Sequence, residues 1–186
     1  MHRDLDRILI DRDRIAGRVG ELGDRIARDI EAASARADRL VVVPIMTGAM
    51  VFTADLIRRL PLRLSIELVE ASSYPGRSTS SAGVTLRGEG PEDLSGAFVL
   101  VVDDIYDSGR TLARVGELLR ARGPAELRTC VLLSKRVERA VEATPDYVGF
   151  DIPDEFVVGC GLDFDGYYRN LPDIATLKPE VVDGVG

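Results

Sequence analysis

Val99-Leu100-Val101-Val102-Asp103-Asp104-Ile105-Tyr106-Asp107-Ser108-Gly109-Arg110-Thr111-Leu112 is the stretch on which the fold turns. With Ala97 and Phe98, its first half is continuously apolar, which predicts a strand covered on both faces, because a half-solvated strand alternates. That strand ends on two carboxylates, a short turn carries a third, and Ser-Gly-Arg-Thr opens a helix over 111–122 with Leu112, Val115, Leu118 and Leu119 inward. In such a turn successive backbone N–H groups and the helix N-terminus converge on one spot, with the hydroxyls of Ser108 and Thr111 beside it. The spot suits a phosphate monoester. Alternation sends Asp103 and Asp104 to opposite sides unless the strand already twists into the loop, so at least one can receive sugar hydroxyls or bear on a metal. Ribose and phosphate together make the expected ligand a nucleotide or sugar phosphate. The competing reading, Asp107 or Ser108 as a helix cap beside solvated acids, explains one residue rather than the whole array.

Working outward, Leu40 to Ile45 is a β-branched run, and after Gly48 residues 49–60 take helical spacing, giving strand, tight turn, helix. Residues 11–36 place Ile15, Val19, Leu22, Ile26 and Ile30 at steps of three and four, an amphipathic helix. Residues 62–70 alternate, with Leu62, Leu64, Ile66 and Leu68 on one face, which predicts a strand. Residues 72–83 are small, polar and turn-rich, a candidate mobile loop. Further strands are expected over 127–133, 147–150 and 156–159. Strands alternating with helices around buried central strands indicate an α/β fold with an open, mainly parallel sheet flanked by helices. Ligands are expected outside the carboxyl ends of its strands.

Composition removes several classes of chemistry. The chain has 186 residues, 45% hydrophobic and 30% charged, the size of one domain. A net charge of -7 opposes broad attraction to nucleic acid or anionic lipid. No apolar run is long enough to span a bilayer, and no signal-peptide pattern opens the chain, so a cytoplasmic location is the expectation. The one histidine is His2, so a Ser-His-Asp triad or a histidine-rich metal site cannot be built, and acid–base work falls to carboxylates, Lys or Tyr. Cys130 and Cys160 lack CxxC spacing and read as small buried hydrophobes. Lysine occurs only at Lys135 and Lys178 among 24 basic residues, which singles out Lys135.

The run Val101 to Leu112 resembles the phosphoribosyl pyrophosphate (PRPP) motif of type I phosphoribosyltransferases. Ile45 to Met50, Ser73-Tyr74, Leu133-Ser134-Lys135-Arg136, Asp151 to Gly159 and Leu162 to Leu171 resemble, in order, segments of the hypoxanthine-guanine phosphoribosyltransferase family. That resemblance implies a single phosphoribosyltransferase domain over 1–186, a lid loop at about 72–83 and a small hood from about 1–10 and 151–180. It implies transfer of the phosphoribosyl group of PRPP to N9 of hypoxanthine or guanine, with Mg2+ as cofactor and a homodimer or homotetramer as the assembly. Neither nucleic acid nor membrane is expected as a partner.

Carried over by position, Asp103 and Asp104 would hold the ribose hydroxyls with Mg2+ nearby, and Asp107, Ser108, Gly109, Arg110 and Thr111 the 5'-phosphate. Asp107 would also be the catalytic base facing purine N7. Lys135 would donate to the 6-oxo group, Phe156 would stack on the ring, and Val157 would meet the exocyclic edge through its backbone. Asp163 would carry a Mg2+ bound to pyrophosphate beside the purine, Arg169 and the Thr47-Gly48 turn would bind pyrophosphate, and Ser73 and Tyr74 would belong to the lid. Thr47 departs from the family, which commonly has lysine there within a turn whose peptide is often cis. Bland readings stand beside these: Lys135 as a solvated strand end, Phe156 as core, Asp163 and Asp165 as turn acids, Arg169 as a surface ion pair. Two other functions remain in competition, an RNA-binding regulator of the same fold that senses PRPP or nucleotides and a phosphoacceptor signalling domain.

Overall fold

A computed structural model describes residues 2–33, 37–73, 84–87, 91–137, 141 and 143–182. Its elements are a 3-10 turn (His2–Asp4), β1 (Leu5–Ile10), α1 (Arg12–Ala33), β2 (Arg39–Met46), α2 (Met50–Ile57), β3 (Leu64–Ile66), β4 (Val69–Ser73) and β5 (Val84–Arg87). They continue with β6 (Ala97–Tyr106), α3 (Arg110–Arg120), β7 (Glu126–Lys135), β8 (Tyr147–Ile152), β9 (Val157–Val158), β10 (Ile174–Leu177) and α4 (Pro179–Val182).

The main sheet has the order β5-β4-β2-β6-β7-β8, with β3 paired to the start of β2, and every pairing is parallel except β4 with β5. Pleating explains the continuously apolar β6. Phe98, Leu100 and Val102 face one way, joining Leu40, Val42, Cys130 and Leu132 and packing with Ile15, Val19, Leu22 and Ile26 of α1 and Phe52 and Leu56 of α2. Val99 and Val101 face the other way, with Val41, Val43 and Val131 against Leu112, Val115 and Leu119 of α3. The expected inward set of α3 holds except at Leu118, which is only half-buried; Gly116 takes the buried position.

The helix expected over 11–36 is α1, started by Asp11, whose carboxylate accepts from Arg14 N at 2.9 Å and Asp13 N at 3.1 Å. Arg18 of α1 donates to the carbonyls of Gly149 at 2.7 Å and Val148 at 3.0 Å, satisfying acceptors of the outermost strand β8.

Two expectations change. The strand expected over 62–70 is two short strands: β3 pairs with Leu40–Val42, whereas β4 pairs with Ile45 and Met46, and the chain jogs between them. Its alternating face is consequently exposed at Ile66 and Leu68, and the residue that enters the core is Val69. The loop expected over 72–83 is shorter at its start, because Ser72 and Ser73 pair with Thr85 and Val84 in the β4–β5 ladder. Residues 74–83, Tyr74 included, lie outside the described residues.

A second sheet of order β1-β10-β9, antiparallel throughout, joins the two ends of the chain. Lys178 N donates to Asp4 O at 2.9 Å and Tyr168 Oη to Asp4 Oδ2 at 3.1 Å, and Arg12 makes a two-pronged contact with Asp173 at 2.9 and 3.1 Å. These contacts tie the small sheet together and to the start of α1. No helix among the described residues is long and apolar enough to cross a membrane.

Candidate active site

β6 stays fully buried through Val102, and Asp103 is the first charged residue at its carboxyl end, 7% exposed. Asp103, Asp104, Asp107, Ser108, Gly109 and Thr111 line one cleft of about 490 Å³ together with Thr47, Gly48, Asp163 and Arg169. Both acids border it, although β6 keeps its pairing with β7 in register through Tyr106. Asp104 N donates to Asp103 Oδ1 at 3.0 Å. Burial, then the neighbouring Asp104, pushes the Asp103 carboxyl well above its usual range; burial raises Asp104 as well, against hydrogen bonds and the distant pull of Arg169.

The turn ends on Gly109 at φ +79°, the residue before α3, where a Cβ would lie 2.3 Å from Val141 O. Only glycine fits that left-handed, crowded position. The helix start therefore has no capping side chain of its own, and the reading of Asp107 or Ser108 as an ordinary cap does not hold; the nearest such contact, Arg110 N to Ser108 Oγ, is 3.5 Å long. Arg110 opens α3 but is exposed and does not line the cleft.

Across from this turn, β2 ends in a second one, and the Met46–Thr47 peptide is cis. A Cβ on Gly48 would lie 1.9 Å from Asp104 Oδ2, and one on Gly161 would lie 2.1 Å from Gly48 O. Two glycines thus let three segments meet without side chains between them: the end of β6, the β2 turn and the 160–169 loop. Arg169 is aimed into the cleft by two contacts, Nη1 to Gly161 O at 2.7 Å and Nη2 to Asp163 Oδ1 at 2.7 Å. Asp163 Oδ2 accepts from Gly166 N at 2.8 Å and closes the turn that carries Asp165 at φ +56°. The turn-acid reading of Asp163 and the ion-pair reading of Arg169 both describe real contacts, and both residues nevertheless face the cleft.

Lys135 is the last residue of β7, and its side chain is only 13% exposed, so it is not a solvated strand end. Its Nζ lies 3.7 Å from Asp107 Oδ2 and 3.2 Å from Asp154 Oδ1. Phe156 is 48% exposed and meets Phe164 edge to face at 5.5 Å, which excludes an ordinary core role; Val157, in β9, is buried. Lys135, Phe156 and Val157 stand outside the lining of the acidic cleft, and Lys135 touches it through Asp107. Ser73 contributes backbone to β4.

Sequence reasoning missed Gly161, whose carbonyl aims Arg169; its signal was the Gly159-Cys160-Gly161 pattern, both glycines having positive φ. It also missed Ile105, Tyr106, Leu112 and Val131 as cleft walls. Burial pushes the Cys160 thiol up to about 12 and Cys130 higher still, consistent with inert packing residues.

Residues 15–165 match the family model described as phosphoribosyl transferase domain. Hypoxanthine-guanine phosphoribosyltransferase of Mycobacterium tuberculosis is 42% identical over 96% of this chain and 89% of its own length. The chain belongs to the hypoxanthine-guanine phosphoribosyltransferase family. The Staphylococcus aureus member is 39% identical over 97% of this chain and 98% of its own. A solved Trypanosoma cruzi hypoxanthine phosphoribosyltransferase, a point mutant complexed with the product IMP, superposes with a TM-score of 0.90 at 36% identity, covering 100% of this chain and 97% of that one. The type I phosphoribosyltransferase fold expected from the resemblance is the fold of these structures. The regulatory alternative has no support in them.

Proposed function

We propose that this chain transfers the 5-phosphoribosyl group of PRPP to N9 of hypoxanthine or guanine, giving IMP or GMP and pyrophosphate in purine salvage. One observation carries the reading: a single cleft joins a helix-N-terminal phosphate cradle, a buried acid pair and Arg169, and a half-buried lysine stands beside its third acid.

The backbone N–H groups at 108–111 and the hydroxyls of Ser108 and Thr111 hold the 5'-phosphate, the helix start favouring an anion. Asp103 and Asp104 accept the ribose hydroxyls, neutral donors to a carboxyl pair that burial disfavours in its charged form. Arg169 and the N–H groups of the Thr47-Gly48 turn take the pyrophosphate. Lys135 donates to O6 of the base and leaves a 6-amino purine facing a donor it cannot match, so adenine is a poor substrate. Phe156 stacks on the ring, and Val157 offers its backbone to the exocyclic edge. As the N9–C1' bond forms and the C1'–O bond to pyrophosphate breaks, the N7 proton passes to the Asp107 carboxylate.

The acid pair also fits Mg2+, a hard cation that commonly takes one or two carboxylates and completes its shell with substrate oxygens and water. Among the described residues no cluster of three or more His, Cys, Asp or Glu could hold a metal, so substrate oxygens and water would complete the shell. Asp103 and Asp104 would hold one ion; Asp163 could serve another while keeping its bond to Arg169. When bound, Mg2+ neutralises negative charge on PRPP and its leaving group. The small β1-β10-β9 sheet belongs to the proposed hood of about 1–10 and 151–180, and about 72–83 is the proposed lid.

A panel of hypoxanthine, guanine, xanthine and adenine with PRPP tests the reading, with and without Mg2+. Turnover of a 6-oxopurine that a chelator abolishes is the expected result; turnover of adenine alone would overturn the base assignment.

A further inference from the structure

We infer that Asp154 is a positioning residue for base recognition, holding the Lys135 ammonium in a place where it can read a 6-oxopurine without closing on Asp107. The inference rests on Lys135 being the base reader, as proposed above.

The sheet itself builds the arrangement. Lys135 pairs with Ile152 at the end of the β7–β8 ladder, and Arg136 N donates to Ile152 O at 3.0 Å, so the chain that leaves β8 must pass the lysine within two residues. Pro153 then turns it, with Glu155 N donating to Pro153 O at 2.9 Å. Asp154 faces the lysine from this turn. Just after it the segment is tied down: Glu155 pairs with Arg7 of β1, and Phe156 rests on Phe164. The ammonium thereby lies nearer Asp154, at 3.2 Å, than Asp107, at 3.7 Å.

The inequality matters because Asp107 has a task that a tight ion pair would obstruct. If Asp154 loses its charge, Asp107 becomes the carboxylate pulling on the ammonium, and an incoming base must separate that pair before its O6 and N7 edge can enter. The cost falls on binding of the base. Once the base is bound the pair is already open, so the chemical step is untouched. Because the Asp154 side chain is 66% exposed, the effect is that of a screened pair, about threefold to fivefold.

Steady-state kinetics of the full chain with Mg2+ decide it. Asp154→Asn should raise KM for hypoxanthine by about threefold to fivefold, leaving kcat and KM for PRPP unchanged. Asp154→Glu should restore most of the loss, and Lys135→Ala/Asp154→Asn should be no worse than Lys135→Ala. An unchanged KM in Asp154→Asn, a parallel loss in kcat and both KM values, or an added loss in the double variant would overturn the inference. The two failures separate: Lys135→Ala with normal oxopurine kinetics removes the base-reading role itself, whereas an impaired Lys135→Ala beside a normal Asp154→Asn removes only the role of Asp154.

Discussion

The two halves of the site are made differently. The half assigned to the sugar phosphate is one unbroken segment, Asp103 to Thr111, set between a fully buried strand and a helix and shaped by a glycine that no other residue can replace. The half assigned to the base and pyrophosphate comes from four separated segments, the Thr47-Gly48 turn and those around Lys135, 154–157 and 161–169, the last three carrying ion pairs and ring contacts that are partly exposed. Covalent continuity holds the first in place; the second depends on strand register and on glycine contacts with neighbouring loops. Damage to the first half should therefore abolish function, and damage to the second should change selectivity.

The hardest test of that contrast is Asp107→Asn, expected to cut kcat by roughly 10² or more with little change in thermal stability, since Asp107 is exposed. A normal kcat removes its role as base. Gly109→Ala should come next: the left-handed φ and the approach of Val141 O leave no room for a Cβ, so KM for PRPP should rise about tenfold or more and the melting temperature should fall. An unaffected variant would mean that the turn is not a rigid element of the site.

On the base side, Lys135→Ala should lower kcat/KM for hypoxanthine and guanine by about tenfold, the scale of one charged hydrogen bond, with KM for PRPP nearly constant. Equal losses for both substrates would make the lysine structural and blur the division between the halves.

The smallest effect concerns the acid pair in the ligand-free protein. Asp103 in the folded chain is held above its ordinary value by burial and by Asp104, so the folded state binds more protons than the unfolded state over that window. Stability is thus favoured below the ordinary carboxylate range, near pH 4, and declines as pH rises through the raised folded value. Asp103→Asn should flatten that decline and melt higher than the parent at pH 7 while losing activity. Melting curves that fall in parallel would contradict it.

The unequal legibility of the two halves follows from the same contrast. The acid pair, the turn after it and α3 were readable because all their determinants lie within about two dozen consecutive residues: apolar continuity, an acidic strand end, a left-handed glycine and a helical period. The 62–70 segment misled because alternation reports a half-buried strand but not the strand it pairs with; a jog between β3 and β4 turned its apolar face outward. β1 escaped notice because half of its residues are exposed, Ile8 among them, leaving a weak pattern.

Order along the chain and local hydrophobic period were enough to specify the parallel core and the glycine-shaped turn at 107–109 that opens α3, because those properties depend on neighbours a few residues away. Which carboxylate the lysine meets, which carbonyl aims Arg169 and how closely Gly48 lets Asp104 approach were settled only by folding. Each is a contact between residues far apart in the chain, and strand register brings them within a few ångströms.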